Sequence, residues 1–398
     1  MRICHLAASH TVFSGRLYYR EARSARRAGL DVTIIAVADA LPFIPPQHGC
    51  RVIPLASTRR VGKVSVAFRL FCLGWCETSE VYHCHDLASL MAGIALKLLR
   101  HARVIYDAHE DYPRTHSANM MSPGIRRILL HGAFAAYEWP LARFADAVLT
   151  VDPLIARRFR RTGVKAQTLP NLPRLHEGES HPANLPEWLG RKVFIYAGAL
   201  SRKVALLQAI AAVDQVRKWH PEILLVLIGG FPDMHFRHEV QGVVRQSGLQ
   251  DYVEIREEVP MAWLPSVYSR CFAGLILYAA NDNYGDRSIF PVKLMEYMAA
   301  GLPILASSFR GLAAVLRTYR CGLVVDPNSP QAIASVMMQL LDDPQLASRQ
   351  GRAARQAFEA RFHWESVEPK LFAAYGCSGI LARLQPEYPA VDKLPCGS

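Results

Sequence analysis

Short apolar runs alternate with stretches whose apolar positions recur every three to four residues, from Met1 to about Tyr375. The first pattern predicts buried strands and the second amphipathic helices. Ile3 to Ala7, Val32 to Val37, Glu80 to His83, Arg103 to Tyr106 and Ala147 to Val151 are predicted strands, with a helix over Arg16 to Ala28 closed by Gly29. The alternation breaks at Leu169 to Pro186, a polar stretch with four prolines that reads as a linker. It then restarts with predicted strands at Val193 to Tyr196, Ile223 to Ile228, Val253 to Ile255, Gly274 to Leu277, Pro303 to Ala306 and Gly322 to Val325. Helices are predicted over Val204 to Trp219, Pro330 to Leu341 and Leu346 to Phe362. Strands and helices in strict alternation predict an α/β fold with two doubly wound parallel sheets. The expected domains are 1–170 and 191–376, with a linker at 171–190 and a little-organised tail at 377–398. Ligands bind such sheets at the carboxyl ends of their strands, so a cleft between two facing domains is the expected site, with hinge closure as its motion.

Composition narrows the class. With 51% hydrophobic and 20% charged residues, the chain reads as globular, not disordered. No leader is expected, because Met1 passes straight into a strand-like run, and no apolar stretch approaches the roughly 20 residues of a spanning helix. Nine cysteines without paired spacing suggest reduced thiols and a cytoplasmic setting. The net charge of +12 is confined to one half: 24 Lys and Arg face 12 Asp and Glu up to residue 175, and 22 face 22 thereafter. That asymmetry implies an anionic partner for the first half. No nucleic-acid motif accompanies it, so no nucleic acid is expected. Basic and bulky apolar residues mix in Thr58 to Phe71 and Gly124 to Leu130, which points to the anionic inner face of a membrane; a solvated arginine-rich surface is the plain alternative.

The most informative segment runs from Phe290 to Ser308. Pro291 suits the first turn of a helix, Gly301 and Pro303 stop it, and Ile304 to Ala306 restart as strand. A helix N-terminus favours phosphate, Lys293 adds a cation there, and Glu296 shares its face one turn deeper, where it can accept hydrogen bonds from sugar hydroxyls. Taken alone, Lys293 and Glu296 equally fit an exposed ion pair. His109 follows a strand end, where functional residues gather, with a structural, hydrogen-bonded histidine as the plain alternative. Asp107 and Glu110 either orient His109, bind hydroxyls or cap the next helix. His83, Cys84 and His85 occupy consecutive positions that alternate between opposite strand faces, which argues against a metal there and leaves His85 and Asp86 lining a cleft.

Four segments together resemble the GT-B glycosyltransferases of family 4, the retaining group that uses nucleotide sugars. They are His10 to Thr33, Val81-Tyr-His-Cys-His-Asp86, Val104-Ile-Tyr-Asp-Ala-His-Glu-Asp-Tyr-Pro113, and the Pro-x-Lys-x-x-Glu-Tyr-Met-Ala-x-Gly-x-Pro pattern from Pro291. The resemblance covers residues 1 to 375 and implies two Rossmann-like domains facing each other across a cleft, donor on the second and acceptor on the first. It implies that Glu296 binds the donor ribose, that Lys293 lies near the diphosphate, and that Gly198 to Lys203 forms a diphosphate clamp with Arg202 and Lys203 as cations. Gly15 would open the first helix near donor phosphates or acceptor, and His109 would stand beside the reacting sugar. His85, Asp86, Asp107 and Glu110 fall on the acceptor side. Two positions depart from the pattern: Ser288 stands where a second glutamate is usual, and Ala199 where an arginine is. Ser288, Asp286 or backbone N–H groups would then contact the sugar.

The implied activity is transfer of a sugar from a nucleotide-sugar donor to a lipid-linked or polysaccharide acceptor, peripheral on the inner membrane face. No Asp-x-Asp motif calls for a divalent ion, so neither metal nor cofactor is expected. A nucleotide-sugar 2-epimerase, and a nucleotide-sugar-binding subunit that has lost catalysis, are the competing functions.

Overall fold

The structure is a computed structural model that describes residues 1–38, 49–56, 62–114, 117, 124–175, 188–279 and 291–377. Most of the proline-rich linker, Ser288, Asp286 and the tail beyond Cys377 lie outside the described residues. The chain forms two compact units, one of Met1–Asn171 together with the chain from Trp364, the other of Leu172–His363.

The first unit is built on seven strands: β1 Arg2–Thr11, β2 Asp31–Val37, β3 Arg51–Leu55, β4 Val81–Cys84, β5 Arg103–Ala108, β6 Ala147–Thr150 and β7 Ala166–Thr168. They pair in parallel in the order β3-β2-β1-β4-β5-β6-β7. The second unit has six: β8 Lys192–Ala197, β9 Ile223–Ile228, β10 Val253–Arg256, β11 Ala273–Ile276, β12 Ile304–Ser307 and β13 Gly322–Val325. Their order, again parallel, is β10-β9-β8-β11-β12-β13. In each sheet the order reverses once, between β1 and β4 and between β8 and β11, which is where such sheets open for ligands. β9 is apolar and buried throughout, as expected of a strand covered on both faces. The two strands absent from the sequence expectation, β3 and β7, are sheet edges; Pro54 in β3 is tolerated there because an edge strand has no second neighbour needing its N–H.

Two differences matter for the site. The helix expected over Arg16 to Ala28 is π-helical from Gly15 to Ala22 and becomes α-helical only over Arg23–Arg27. Its i→i+5 repeat brings Arg16 and Glu21 to one side, and both are buried along with Leu17, Tyr18, Arg20 and Ala22. An α-helix would set residues five apart about 140° from each other. The second difference is that the expected second domain, 191–376, ends earlier. Trp364 is fully buried and donates from Nε1 to Ser24 Oγ at 2.7 Å, and the helix Glu368–Tyr375 packs on the first sheet through Leu371, Phe372 and Tyr375. Arg103 Nε donates to the carbonyl of Ala374 at 2.7 Å. Burial of that apolar face, not sequence order, assigns these residues to the first unit.

Close packing makes one strand glycine sensitive. A Cβ added at Gly274, in β11, would overlap the ring of Tyr297, whereas one added at Gly242 meets nothing within 4 Å. Gly274→Ala is expected to destabilise by about 1–3 kcal/mol, the usual cost of overpacking. Gly242→Ala, on the helix Met234–Gln246, is expected to stabilise slightly. Denaturant midpoints compared at constant slope provide the check.

Candidate active site

In the first unit the strand ends at the switch point carry an unusual density of imidazoles. His5 on β1 lies beside His83 on β4, their Cα positions in register. The rings of His5 and His83 are 4.9 Å apart, those of His83 and His85 4.6 Å, and those of His10 and His109 4.4 Å. Residues two apart share a strand face, so His83 and His85 lie together while Cys84 between them turns into the apolar core. His5 Nδ1 and His85 Nε2 are 2.9 Å apart, His85 Nδ1 and His109 Nε2 3.1 Å, and the Tyr375 hydroxyl is 2.9 Å from His83 Nδ1.

Asp107 and Arg16 lie at the centre. Arg16 donates from Nε to Asp107 Oδ2 at 2.6 Å, from Nη2 to Oδ1 at 2.8 Å, and from Nη1 to the Leu169 carbonyl at 2.7 Å. His109 Nε2 is 2.7 Å from the same Asp107 Oδ2. Burial works against the Asp107 charge, but Arg16 and then His109 outweigh it and hold the carboxyl well below its ordinary range. Glu21, buried nearby and 3.1 Å from Arg16 Nε, goes the other way: burial and the Asp107 charge push its carboxyl well up. One guanidinium thus keeps one of the two carboxylates ionised. Burial lowers His5, His10, His83, His85 and His109 alike, so all five are neutral near pH 7.

Two groups have metal-ligand chemistry: His5, Glu21, His83 and His85, and His85, Asp107 and His109, each with its donor atoms within 4.8 Å of one another. In both, the carboxylate already faces the Arg16 guanidinium, which a divalent ion would have to approach. The arrangement is that of an ion-paired hydrogen-bond network.

Of the other residues expected on this side, Asp86 has a structural task. Its Oδ1 accepts from Ser89 N at 2.9 Å as the N-cap of the helix Leu87–Arg100, and its Oδ2 accepts from Ala8 N at 2.6 Å, Ser9 N at 3.0 Å and Ser9 Oγ at 3.1 Å. Four donors occupy the carboxylate that was expected to line a cleft. Glu110 is exposed, and Gly15 begins the π-helical segment. Arg16, Glu21, His5, His10 and Tyr375 escaped the sequence reading. The spacing of Arg16 and Glu21 has meaning only once the helix is known to be π-helical.

The second unit holds the expected phosphate helix, Val292–Ala299, with Pro291 as its N-cap. Lys293 Nζ rests against Gly198, where an added Cβ would overlap it, and lies 4.9 Å from the centre of the Tyr196 ring. Gly198 at φ 142° and Gly229 at φ 146° occupy backbone conformations that favour glycine, and the Gly198 carbonyl fills the space a Cβ on Gly229 would need. Desolvation lowers the Lys293 pKa, with Glu296 opposing it. Glu296 Oε2 accepts from the Tyr268 hydroxyl at 3.1 Å, and Tyr268 packs edge-on against Tyr297 with centroids 5.2 Å apart. Arg202, exposed, donates to Glu239 at 2.6 Å, lies 3.7 Å from Asp233 and covers the Phe236 ring; Lys203 is also exposed. The structure therefore brings together Gly198, Lys293 and Glu296 and ties Arg202 to acidic neighbours.

Two parallel α/β units, one with a phosphate-suited helix beside a glycine turn, define a GT-B architecture. Residues 15–171 match the glycosyl transferase 4-like domain, and residues 179–357 the glycosyl transferases group 1. The chain is 25% identical over 336 residues to glycogen synthase of Mycobacterium tuberculosis, covering 79% of this chain and 72% of that one. It is 30% identical over 165 residues to the D-inositol 3-phosphate glycosyltransferase of Streptomyces avermitilis, 41% of this chain and 34% of that one. In structure it is similar to Anabaena Alr3699/HepE in complex with UDP and glucose, at TM-score 0.72 and 15% identity over 94% of this chain and 99% of that one. WaaG, a glycosyltransferase involved in lipopolysaccharide biosynthesis, has TM-score 0.64 and 14% identity over 94% and 100%. The chain belongs to the GT-B glycosyltransferases of family 4 type and is a nucleotide-sugar-dependent enzyme.

The buried imidazoles have a measurable consequence. Unfolded histidines take up protons near pH 6.5, whereas these stay neutral in the fold, so their contribution is present above 6.5 and is lost as pH falls below it. Asp107, also depressed, loses its contribution below about pH 3.8. Glu21 has the opposite sign, stabilising at low pH and losing that as pH rises through its raised pKa. Five histidines outweigh one carboxyl, so the melting temperature is expected to fall from about pH 7.5 to about pH 5.5. His83→Gln should make that slope shallower; a flat or rising profile in the parent protein contradicts the neutral cluster.

Proposed function

We propose that this enzyme is a retaining transferase that moves a sugar from its nucleotide donor to a lipid-linked or polysaccharide acceptor in cell-surface glycan synthesis, without a divalent metal. The observation that carries the reading is Lys293, seated on Gly198 at the N-terminus of the helix Val292–Ala299, one turn before Glu296. Departure of a nucleoside diphosphate builds negative charge on its β-phosphate while the sugar becomes oxocarbenium-like. Lys293 and the free helix N–H groups stabilise that charge from fixed positions, so little reorganisation is needed during the reaction. Glu296, held through one oxygen by Tyr268, accepts hydrogen bonds from the ribose. The leaving phosphate takes the acceptor's proton as attack occurs on the face it departs from, and no covalent nucleophile is assigned. His109 stands on the acceptor side beside the reacting sugar. The complex of Anabaena Alr3699/HepE with UDP-glucose supports the donor class, and the phosphatidylinositol mannoside mannosyltransferase of Mycobacterium tuberculosis, 24% identical over 162 residues, supports a lipid-linked acceptor.

No described helix is long and apolar enough to cross a membrane, so the proposed attachment is peripheral. The helix Ile125–Phe144 leaves Ile125, Ile128 and Leu129 at 67 to 75% exposure beside Arg126 and Arg127. The helix Lys63–Glu77 exposes Val64, Phe68 and Trp75 together with Arg69. Apolar side chains flanked by arginines suit an anionic lipid surface, because charge draws the helix in and apolar burial holds it.

Nucleoside diphosphate release from a panel of nucleotide sugars, with and without acceptor, tests the activity. Lys293→Ala is expected to lower turnover about 10²-fold, as loss of one fixed donor to a developing anion does, while nucleoside binding by thermal shift changes far less. An Arg202/Lys203 double replacement should cost less, because Arg202 is already engaged by Glu239. Turnover unchanged in Lys293→Ala removes the mechanism, and dependence on added magnesium or manganese removes its metal independence. For attachment, the protein is expected to float with vesicles of anionic phospholipid at low salt and not at high salt. Ile128→Asp with Leu129→Asp should abolish flotation; sedimentation of the parent protein at low salt rejects the surface.

A further inference from the structure

The contacts around Asp107 determine which ring nitrogen of His109 carries hydrogen. Arg16 occupies both oxygens of Asp107 and is itself locked by the Leu169 carbonyl, so the pair cannot rotate without breaking three hydrogen bonds. Side-chain exposure is 3% for Arg16 and 0% for Asp107. An ionised carboxylate only accepts, so the His109 Nε2 at 2.7 Å must donate to it. His85 Nδ1 lies 3.1 Å from the same His109 Nε2 and 3.5 Å from Asp107 Oδ2, so it borders the Nε2–Asp107 contact without displacing it. His10 meets the His109 ring at a tilt of 35° with centroids 4.4 Å apart, and burial keeps it from offering Asp107 a competing positive charge.

We propose that Arg16 and Asp107 are positioning residues for His109, holding it as the neutral Nε2–H tautomer with Nδ1 as the hydrogen-bond acceptor. Arg16 acts through Asp107. Glu21, at 3.1 Å from Arg16 Nε and without the two-pronged contact that Asp107 makes, has its carboxyl pushed well up by burial and by the Asp107 charge. A protonated Asp107 would be able to donate to His109 Nε2 and turn the ring to the other tautomer, with a donor where an acceptor had been. Arg16 is thus the residue on which the chemistry of His109 depends, although it does not touch His109. The consequence for turnover rests on the role of His109 proposed above; the tautomer does not.

The test is ¹⁵N NMR of the full chain labelled at histidine, with the His109 signals assigned by their loss in His109→Gln. The parent protein near neutral pH should show His109 with hydrogen on Nε2. Asp107→Asn and Arg16→Gln should shift His109 toward the Nδ1–H form and lower kcat at least 10-fold, with donor KM changed less than threefold. Arg16→Lys, which keeps the charge, should retain most of the parent tautomer. His109 found as Nδ1–H or as imidazolium in the parent protein overturns the proposal whatever the variants do, so a variant that fails to fold leaves it decidable. A parent tautomer that persists in a folded Asp107→Asn also overturns it. The expected tautomer shift with unchanged kcat upholds the positioning pair and removes the catalytic role of His109 instead.

Discussion

A carboxylate buried out of reach of water must be neutralised where it stands, and Asp107 is neutralised by Arg16. Much of the first unit is arranged around that pair. β5 places Asp107 at its carboxyl end, the π-helical segment after β1 delivers Arg16, and the carbonyl of Leu169 takes the third guanidinium N–H. With the charge settled there, the surrounding imidazoles stay neutral and contact one another, and burial pushes a second carboxyl, Glu21, well above its ordinary range. Removing one partner of such a pair typically costs about 3–5 kcal/mol, since the other is left charged and dry. The helix Glu368–Tyr375 closes the same network through Tyr375 on His83, so a segment late in the sequence completes a site begun at residue 5.

The second unit holds its cation by a different device. Lys293 has no described carboxylate in ion-pair contact; it lies over a glycine and an aromatic ring, at a helix end whose own charge is positive. Gly198 and Gly229 allow two turns and a side chain to come closer than any Cβ permits. A cation left short of anionic partners is suited to an arriving diphosphate, whereas the Arg16–Asp107 pair is saturated and suited to holding something else still.

The expected residues sort along the same line. Glu296, Lys293 and Gly198 are local to a helix terminus and a strand end, and their placement was legible because the signals are local. Asp86 was read as facing a cleft, but its carboxylate is consumed by the cap and by the turn after β1. Arg202 was read as a clamp, but it pairs with Glu239 on a neighbouring helix. In both cases a partner distant in sequence settled the matter.

Strand periodicity, proline and glycine at helix ends, and the break near residue 170 determined by themselves that there are two parallel α/β units and where the helix Val292–Ala299 begins, because these patterns act over a few residues. Only tertiary structure decided that β1, β4 and β5 lie adjacent, that five residues span one side of a π-helical turn, and that the chain from Trp364 returns to the first unit. Those three facts bring His5, Glu21, His83, His85, Asp107 and Tyr375 together. The physical reason is that burial and charge pairing are satisfied in three dimensions, by whichever partners the strand order makes neighbours.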